Sequence, residues 1–302
     1  MSSDEIFCIG EVLWDSFPQG LLLGGAVMNA ACHLKKLGQE VSLASRIGDD
    51  ELGREVVKKF EQLKMSAELL QRDTELPTGM VIVTFDRSNS PCYEIVAPAA
   101  WDNIGSSEQL RKKARNGRVV VVGTLAQRNE RSRKTIRELL ELGKLCAVDI
   151  NLRPPYDDRG IVEETLTLSH IVKLNDTEAK KLSEWFGYPS DLKGFSMALM
   201  KEFDLQTICV TKGPEGAALL HEGQFHEHPG YSVDVVDTVG SGDAFMAGLI
   251  SCLLSGKGPT MTLAFANALG ALVASKEGAI PDYKIQEIDN IIASATDIGR
   301  SL

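Results

Sequence analysis

Short apolar runs rich in β-branched residues recur between amphipathic stretches, and this alternation narrows the folds open to the chain more than any other feature. Residues 6–9, 41–44, 118–122, 145–150, 170–174 and 207–211 read as strands buried on both faces. Residues 26–37, 52–63, 130–142, 177–186, 191–203, 242–254 and 261–276 lie between or after them, most with apolar side chains at three- and four-residue spacing, and are predicted helices. Strand, helix and strand in succession imply parallel strands joined by right-handed crossovers, hence an α/β layered sandwich whose ligands gather at the carboxyl ends of the strands. One region departs from this rhythm: residues 78–85 and 92–96 resemble a hairpin around a polar turn at 86–90. A lone hairpin is marginal in water, so it must pack on the main body, join further strands or pair with a second subunit.

With 302 residues, 43% of them hydrophobic, the chain is long enough to bury a substantial core, as one large domain or one domain plus a small extra piece. A net charge of -10 argues against nucleic-acid and anionic-membrane partners, which select clustered Lys and Arg. No apolar run approaches the roughly 18 residues of a membrane span, and Met1 to Glu5 is acidic where a signal peptide is basic, so a cytoplasmic protein is expected. The six cysteines form no CxxC pair. Cys8, Cys146 and Cys209 sit in apolar runs, where a free thiol packs as a small hydrophobe in a reducing compartment.

The segment Asp237-Thr238-Val239-Gly240-Ser241-Gly242-Asp243 runs into an almost wholly apolar helix. Unsatisfied N–H groups at such a helix start, opened by glycine and reinforced by the helix dipole, make an anion hole. Asp243 in the first turn could take the proton of a hydroxyl attacking a phosphate. It could equally be a first-turn acid that only stabilises the helix, and the spacing alone does not choose. There is no Walker-type P-loop, and no Gly-x-Gly-x-x-Gly follows the first strand.

The Asp-Thr-x-Gly-Ser-Gly-Asp string resembles the C-terminal signature of ribokinase-like (PfkB) carbohydrate kinases. Gly10 to Asp15 and Gly24 to Asn29 resemble that family's sugar-binding segments, and Arg46 to Gly53 its N-terminal signature. Asn175-Asp176-Thr177-Glu178 is similar to its Asn-x-x-Glu motif, and Thr211 to Gly216 to its nucleotide-side loop. The resemblance covers essentially the whole chain. It implies a ribokinase-like three-layer α/β/α sandwich over residues 1–302 as a single domain, with a small β-sheet lid built from inserted segments at about 11–23 and 76–101. It further implies ATP and Mg²⁺, with Gly240, Ser241, Gly242 and Asp243 catalytic and Asp15, Gly25 and Asn29 on the sugar. Asn151 and Arg153, at the end of a buried strand, are placed near sugar or phosphate. Asn175, Thr211, Lys212, Gly213, Gly216 and Asn267 are placed near the nucleotide, and Glu178 near Mg²⁺ through water. Without the resemblance, Asp15, Asn29, Glu178, Lys212 and Asn267 read as turn, cap, dipole or surface residues. Ser241 stands where alanine is commoner, a small-for-small change. The tail at 277–281 is shorter than ribokinase's, and leaves K⁺ open, with Asp237 facing it.

Residues 10–15, 91–95, 100–104 and 125–130 look most like bacterial fructokinases, so D-fructose to fructose 6-phosphate is the expected reaction. The alternatives are 2-keto-3-deoxygluconate kinase, with Arg153 on the carboxylate, ribokinase, or a sugar or nucleotide sensor without catalysis. A homodimer paired through the lid is the expected assembly.

Overall fold

Alternate residues of the central strands carry two separate halves of the core. The computed structural model describes residues 4–18, 20–85 and 91–298, so the polar turn at 86–90 and the first three residues lie outside the described residues. Seven strands run parallel: β1 (Ile6–Ile9), β4 (Val41–Gly48), β5 (Leu70–Asp73), β8 (Val119–Gly123), β9 (Cys146–Asp149), β10 (Ile171–Asn175) and β11 (Thr207–Thr211). Two more, β12 (Ala217–His221) and β13 (Gln224–His228), add to one edge antiparallel, giving the order β13-β12-β11-β10-β9-β8-β1-β4-β5.

Phe7, Ile9, Val120, Val122, Val148 and Val172 face one way, against α3 (Glu108–Asn116), α4 (Glu130–Leu142), α5 (Arg159–Thr167), α6 (Asp176–Phe186) and α7 (Leu192–Phe203). Ile6, Cys8, Val119, Val121, Ala147 and Ile171 face the other way, against α1 (Ala26–Lys36), α2 (Glu51–Gln62), α8 (Ser241–Leu254) and α9 (Pro259–Ala274). Helices thus cover both sheet faces, which is why most central strands carry apolar residues on both faces instead of on every second position. Helix α10 (Ile285–Ile298) closes over α9. Helices α8 and α9 are apolar nearly all round because each is enclosed by the sheet and its neighbours.

A second sheet of four strands stands apart, in the order β3 (Gly20–Gly24), β2 (Leu13–Phe17), β6 (Gly79–Phe85), β7 (Pro91–Ile95). The expected hairpin therefore joins further strands, with β6 pairing parallel to β2. Leu13, Val81 and Val83 form its small core.

Several elements were not foreseen. Helix α3 is dominated by charge, β5 is a polar edge strand, and Ala217–His221 lacks β-branched residues. The β12–β13 hairpin closes on Glu222 and Gly223, both at positive φ, the turn geometry that matches strand twist. Cys8, Cys32, Cys146, Cys209 and Cys252 are free and buried, and burial pushes all five thiols up, so they remain protonated packing groups. No helix among the described residues is long and apolar enough to cross a membrane.

Candidate active site

The loops that leave the carboxyl ends of β1, β9, β10 and β11 hold most of the singled-out residues, and α8 begins beside them. Gly240 caps α8 with φ 77°, a conformation open chiefly to glycine, and no side chain caps the helix. Ser241 N–H turns back to Thr238 O at 3.2 Å, while the N–H groups of Gly242 and Asp243 meet no acceptor among the described residues. These are free donors of a helix start, aimed where an anion can lie.

Asp243 Oδ2 accepts a hydrogen bond from Asn29 Nδ2 at 2.8 Å, across 214 residues of sequence. Asn29 is 4% exposed, and its Oδ1 is buried with no partner. Removal from water, with Asp149's charge behind it, pushes Asp243 up to about 6, against the pull of Asn29, Lys173 and Arg153.

Two further acids share this field. Asp15, on the small sheet, is pushed up to about 6 by burial and by Asp243. Glu11, 1% exposed, is pushed up to about 7, chiefly by burial; its Oε1 accepts Ala26 N–H at 3.0 Å and its Oε2 is buried without a partner. Glu11 thereby caps α1, whose own N-cap, Gly25, has no side chain to do so. Gly25 needs its φ of 117°, and a Cβ there would lie 2.3 Å from Glu11 O. Arg153 is the guanidinium that lowers all three acids. Asn151, two residues before it, takes φ 41° at the turn out of β9.

The small sheet presents one face to this cleft. Asp15 stands opposite Leu22 and Val81 in its ladders, and Val83 opposite Tyr93, so these side chains share a face. Tyr93 is raised by burial and by the charges of Asp15 and Asp237.

Asn175 and Glu178 form a reciprocal capping box on α6: Asn175 Oδ1 accepts Glu178 N–H and Glu178 Oε2 accepts Asn175 N–H, each at 2.8 Å. Glu178 Oε1 also accepts Leu152 N–H at 2.7 Å. Asp237 bonds Val239 N–H at 3.0 Å and Gly278 N–H at 3.1 Å, tying the turn to the 277–281 tail.

Other residues stand away from Asp243. Lys212 pairs with the exposed Glu227 at 3.0 Å, and both line a depression of ≈ 570 Å³ beside Pro214. Gly213 and Gly216 shape that turn at positive φ, and Thr211 Oγ1 reaches only Leu174 O, at 3.4 Å. Asn267 donates to Leu263 O within its own helix at 2.8 Å. A second depression of ≈ 490 Å³ lies between Val233–Val236 and the α9–α10 pair.

Lys173 went unremarked. It sits in an otherwise apolar buried strand, and a lysine there is a signal in itself, since lysine is almost never fully buried unpaired. Glu11 was legible only as part of a longer string.

A family model described as pfkB family carbohydrate kinase matches residues 19–286. The fructokinase of Klebsiella pneumoniae is 29% identical over 296 residues, covering 91% of this chain and 95% of that protein. Among solved structures, an uncharacterized sugar kinase of Pyrococcus horikoshii in complex with ATP has a TM-score of 0.80 at 26% identity, over 95% of this chain and 99% of that one. Fructokinase of Xylella fastidiosa with bound ATP has a TM-score of 0.85 at 20% identity, over 97% and 99%.

Proposed function

Because the chain belongs to the pfkB family of carbohydrate kinases, and is an ATP-dependent carbohydrate kinase, we propose that its substrate is D-fructose, converted to fructose 6-phosphate with Asp243 as general base. The observation that carries the substrate class is the charge balance of the cleft: Glu11, Asp15 and Asp243 are three acids that all feel the charge of one guanidinium, Arg153. An acidic sugar such as 2-keto-3-deoxygluconate would meet net negative charge there, whereas a neutral polyol meets acceptors for its hydroxyls. Within neutral sugars, the full-length similarity to a fructokinase supports fructose.

In this reading Asp15, Gly25, Asn29, Asn151 and Arg153 hold the sugar, and the orphan Oδ1 of Asn29 accepts one of its hydroxyls. Asp243 takes the hydroxyl proton, the sugar oxygen bonds the γ-phosphorus, the bond to the bridging oxygen breaks, and ADP leaves. The free N–H groups of Gly242 and Asp243 bind the phosphoryl oxygens as charge shifts onto them. Asn175, Thr211, Gly213, Gly216 and Asn267 flank the nucleotide. Lys212 exchanges Glu227 for phosphate at small cost, an exposed pair being weak.

Among the described residues no three His, Cys, Asp or Glu side chains form a metal cage. Glu178 already gives one lone pair from each oxygen to a backbone N–H, which fits a Mg²⁺ ion that arrives on the nucleotide and meets this carboxylate through water. When bound, the ion screens phosphate charge. We assign K⁺, if used, to the Asp237 side of the turn. Five buried free thiols support a cytoplasmic setting.

A homodimer through the small sheet is part of the same proposal. Leu21 (43% exposed) and Ile82 (37% exposed) flank Ser16 on either side in adjacent ladders, so two exposed apolar side chains share the face opposite to that of Asp15. Sedimentation should give a dimer, and Leu21→Glu with Ile82→Glu should make it a monomer; a monomeric parent at micromolar concentration removes this assembly.

The substrate is tested by ADP release from Mg-ATP with fructose, ribose, glucose, 2-keto-3-deoxygluconate and nucleosides. Turnover confined to fructose is expected. Turnover on another sugar alone overturns the fructose assignment, and ATP binding with silence on every sugar favours a sensor.

A further inference from the structure

A charged group lies directly beneath the phosphate-binding turn and has no role in the reaction as described above. Lys173 is 6% exposed, in the middle of the sheet, and its Nζ donates to Asp149 Oδ1 at 3.1 Å and Oδ2 at 2.9 Å. A Cβ added to Gly242 would lie 3.2 Å from this Nζ, so the ammonium forms the floor of the turn, and glycine is what keeps the space above it open. An ammonium has three donors, and two are spent on Asp149. A buried ion pair gains little over an apolar pair of the same size, so stability alone gives no reason for one at this place in an apolar strand.

We propose that Lys173 is a catalytic residue whose third N–H reaches the transferring phosphoryl group past Gly242, while Asp149 holds the ammonium in place. Lys173 is fully protonated for this task, because Asp149, Glu178 and Asp243 hold its proton against the opposing effect of burial. Its charge approaches the phosphoryl oxygens from the sheet side, while the N–H groups of Gly242 and Asp243 approach from the helix side. A point charge in a water-poor floor does not reorganise as the β–γ bond breaks, the condition under which such groups act most strongly on a transition state. The inference rests on ATP as phosphoryl donor and is independent of which sugar accepts.

The test replaces the pair together, Lys173→Met with Asp149→Asn, since Lys173→Met alone leaves a buried carboxylate unpaired and invites misfolding. Calorimetry at pH 8 measures the affinities of the full chain for ATP and ADP, with Asp149→Asn alone as the variant that keeps the ammonium. The double variant should fold with the parent's circular dichroism and lose the preference for ATP over ADP by at least about tenfold, as removal of a charge-assisted hydrogen bond to the γ-phosphoryl requires. Asp149→Asn should keep that preference, and turnover on whichever sugar the parent accepts should fall about 100-fold in the double variant. A folded double variant that keeps the ATP preference within twofold overturns the proposal. This readout needs no sugar, so a wrong substrate assignment and a wrong role for Lys173 fail separately.

Discussion

Asp243→Asn should lower turnover by about 10³-fold or more, within or above the range for loss of a positioned general base, while ATP affinity stays within a few-fold. The substitution keeps the shape of the side chain, and its amide oxygen can still accept from Asn29 Nδ2, now 2.8 Å from the carboxylate. What it removes is the proton acceptor. The parent's kcat/KM should therefore fall tenfold per pH unit below about pH 6, where Asp243 takes up its proton. Asp15 and Glu11 titrate in the same region, at about 6 and about 7, so the profile alone does not assign the limb. Residual activity of Asp243→Asn that no longer falls with the same limb assigns it to Asp243.

The same substitution should stabilise the protein in alkaline solution. A carboxyl held at about 6 in the folded chain, against about 3.9 when unfolded, binds its proton more tightly in the folded state. Stability therefore declines as pH rises through that window, and the full penalty stands above pH 6. The Tm of Asp243→Asn should exceed the parent's at pH 8 and approach it at pH 4. Near-normal turnover in this variant removes Asp243 from the role of base, whatever its effect on Tm.

Gly240→Ala should be the second large loss. A Cβ at this position would lie 2.5 Å from Ala279 O and 2.6 Å from Ala279 Cα, both backbone atoms that cannot swing aside, and φ at 77° adds strain for any L side chain. Relief requires the turn or the 277–281 tail to move, and the N–H groups of Gly242 and Asp243 move with the turn. Turnover should fall about 100-fold or more, as when one preorganised donor is lost from an oxyanion site. Stability should fall by about 1–3 kcal/mol, read from urea unfolding. Gly256→Ala is the matched control: its φ is 66°, but a Cβ there meets nothing within 4 Å. It should show the conformational strain alone and keep full turnover. Equal losses in the two variants would mean that backbone strain, and not the shape of the anion site, limits the reaction.

The same physics explains which parts of the fold were legible in advance. The six central strands foreseen carry apolar residues on both faces because helices cover both sides of the sheet, and most of the helices foreseen repeat at helical spacing because each buries one stripe. Both signals are local. Strands β12 and β13 were missed because Ala217–His221 carries little β-branching and leans on its neighbour β11 for its conformation. Helix α3 was missed because only Leu110 and Ala114 are buried among its charges. In the small sheet, residues 78–85 and 92–96 showed as a hairpin, but the parallel pairing of Leu13 with Gly79 joins segments 66 residues apart, and no local pattern encodes it.

By itself, the sequence determined the layered α/β architecture, the apolar helix α8, and the glycine turn that leaves its first N–H groups open, since each follows from the conformational limits of neighbouring residues. Only the tertiary structure decided that Asn29 meets Asp243, that Glu11 caps a helix whose own cap is glycine, and that the ammonium of Lys173 lies under Gly242. These contacts join residues remote along the chain, and their electrostatic effects depend on burial and distance, which exist only once the sheet has brought its strand ends together.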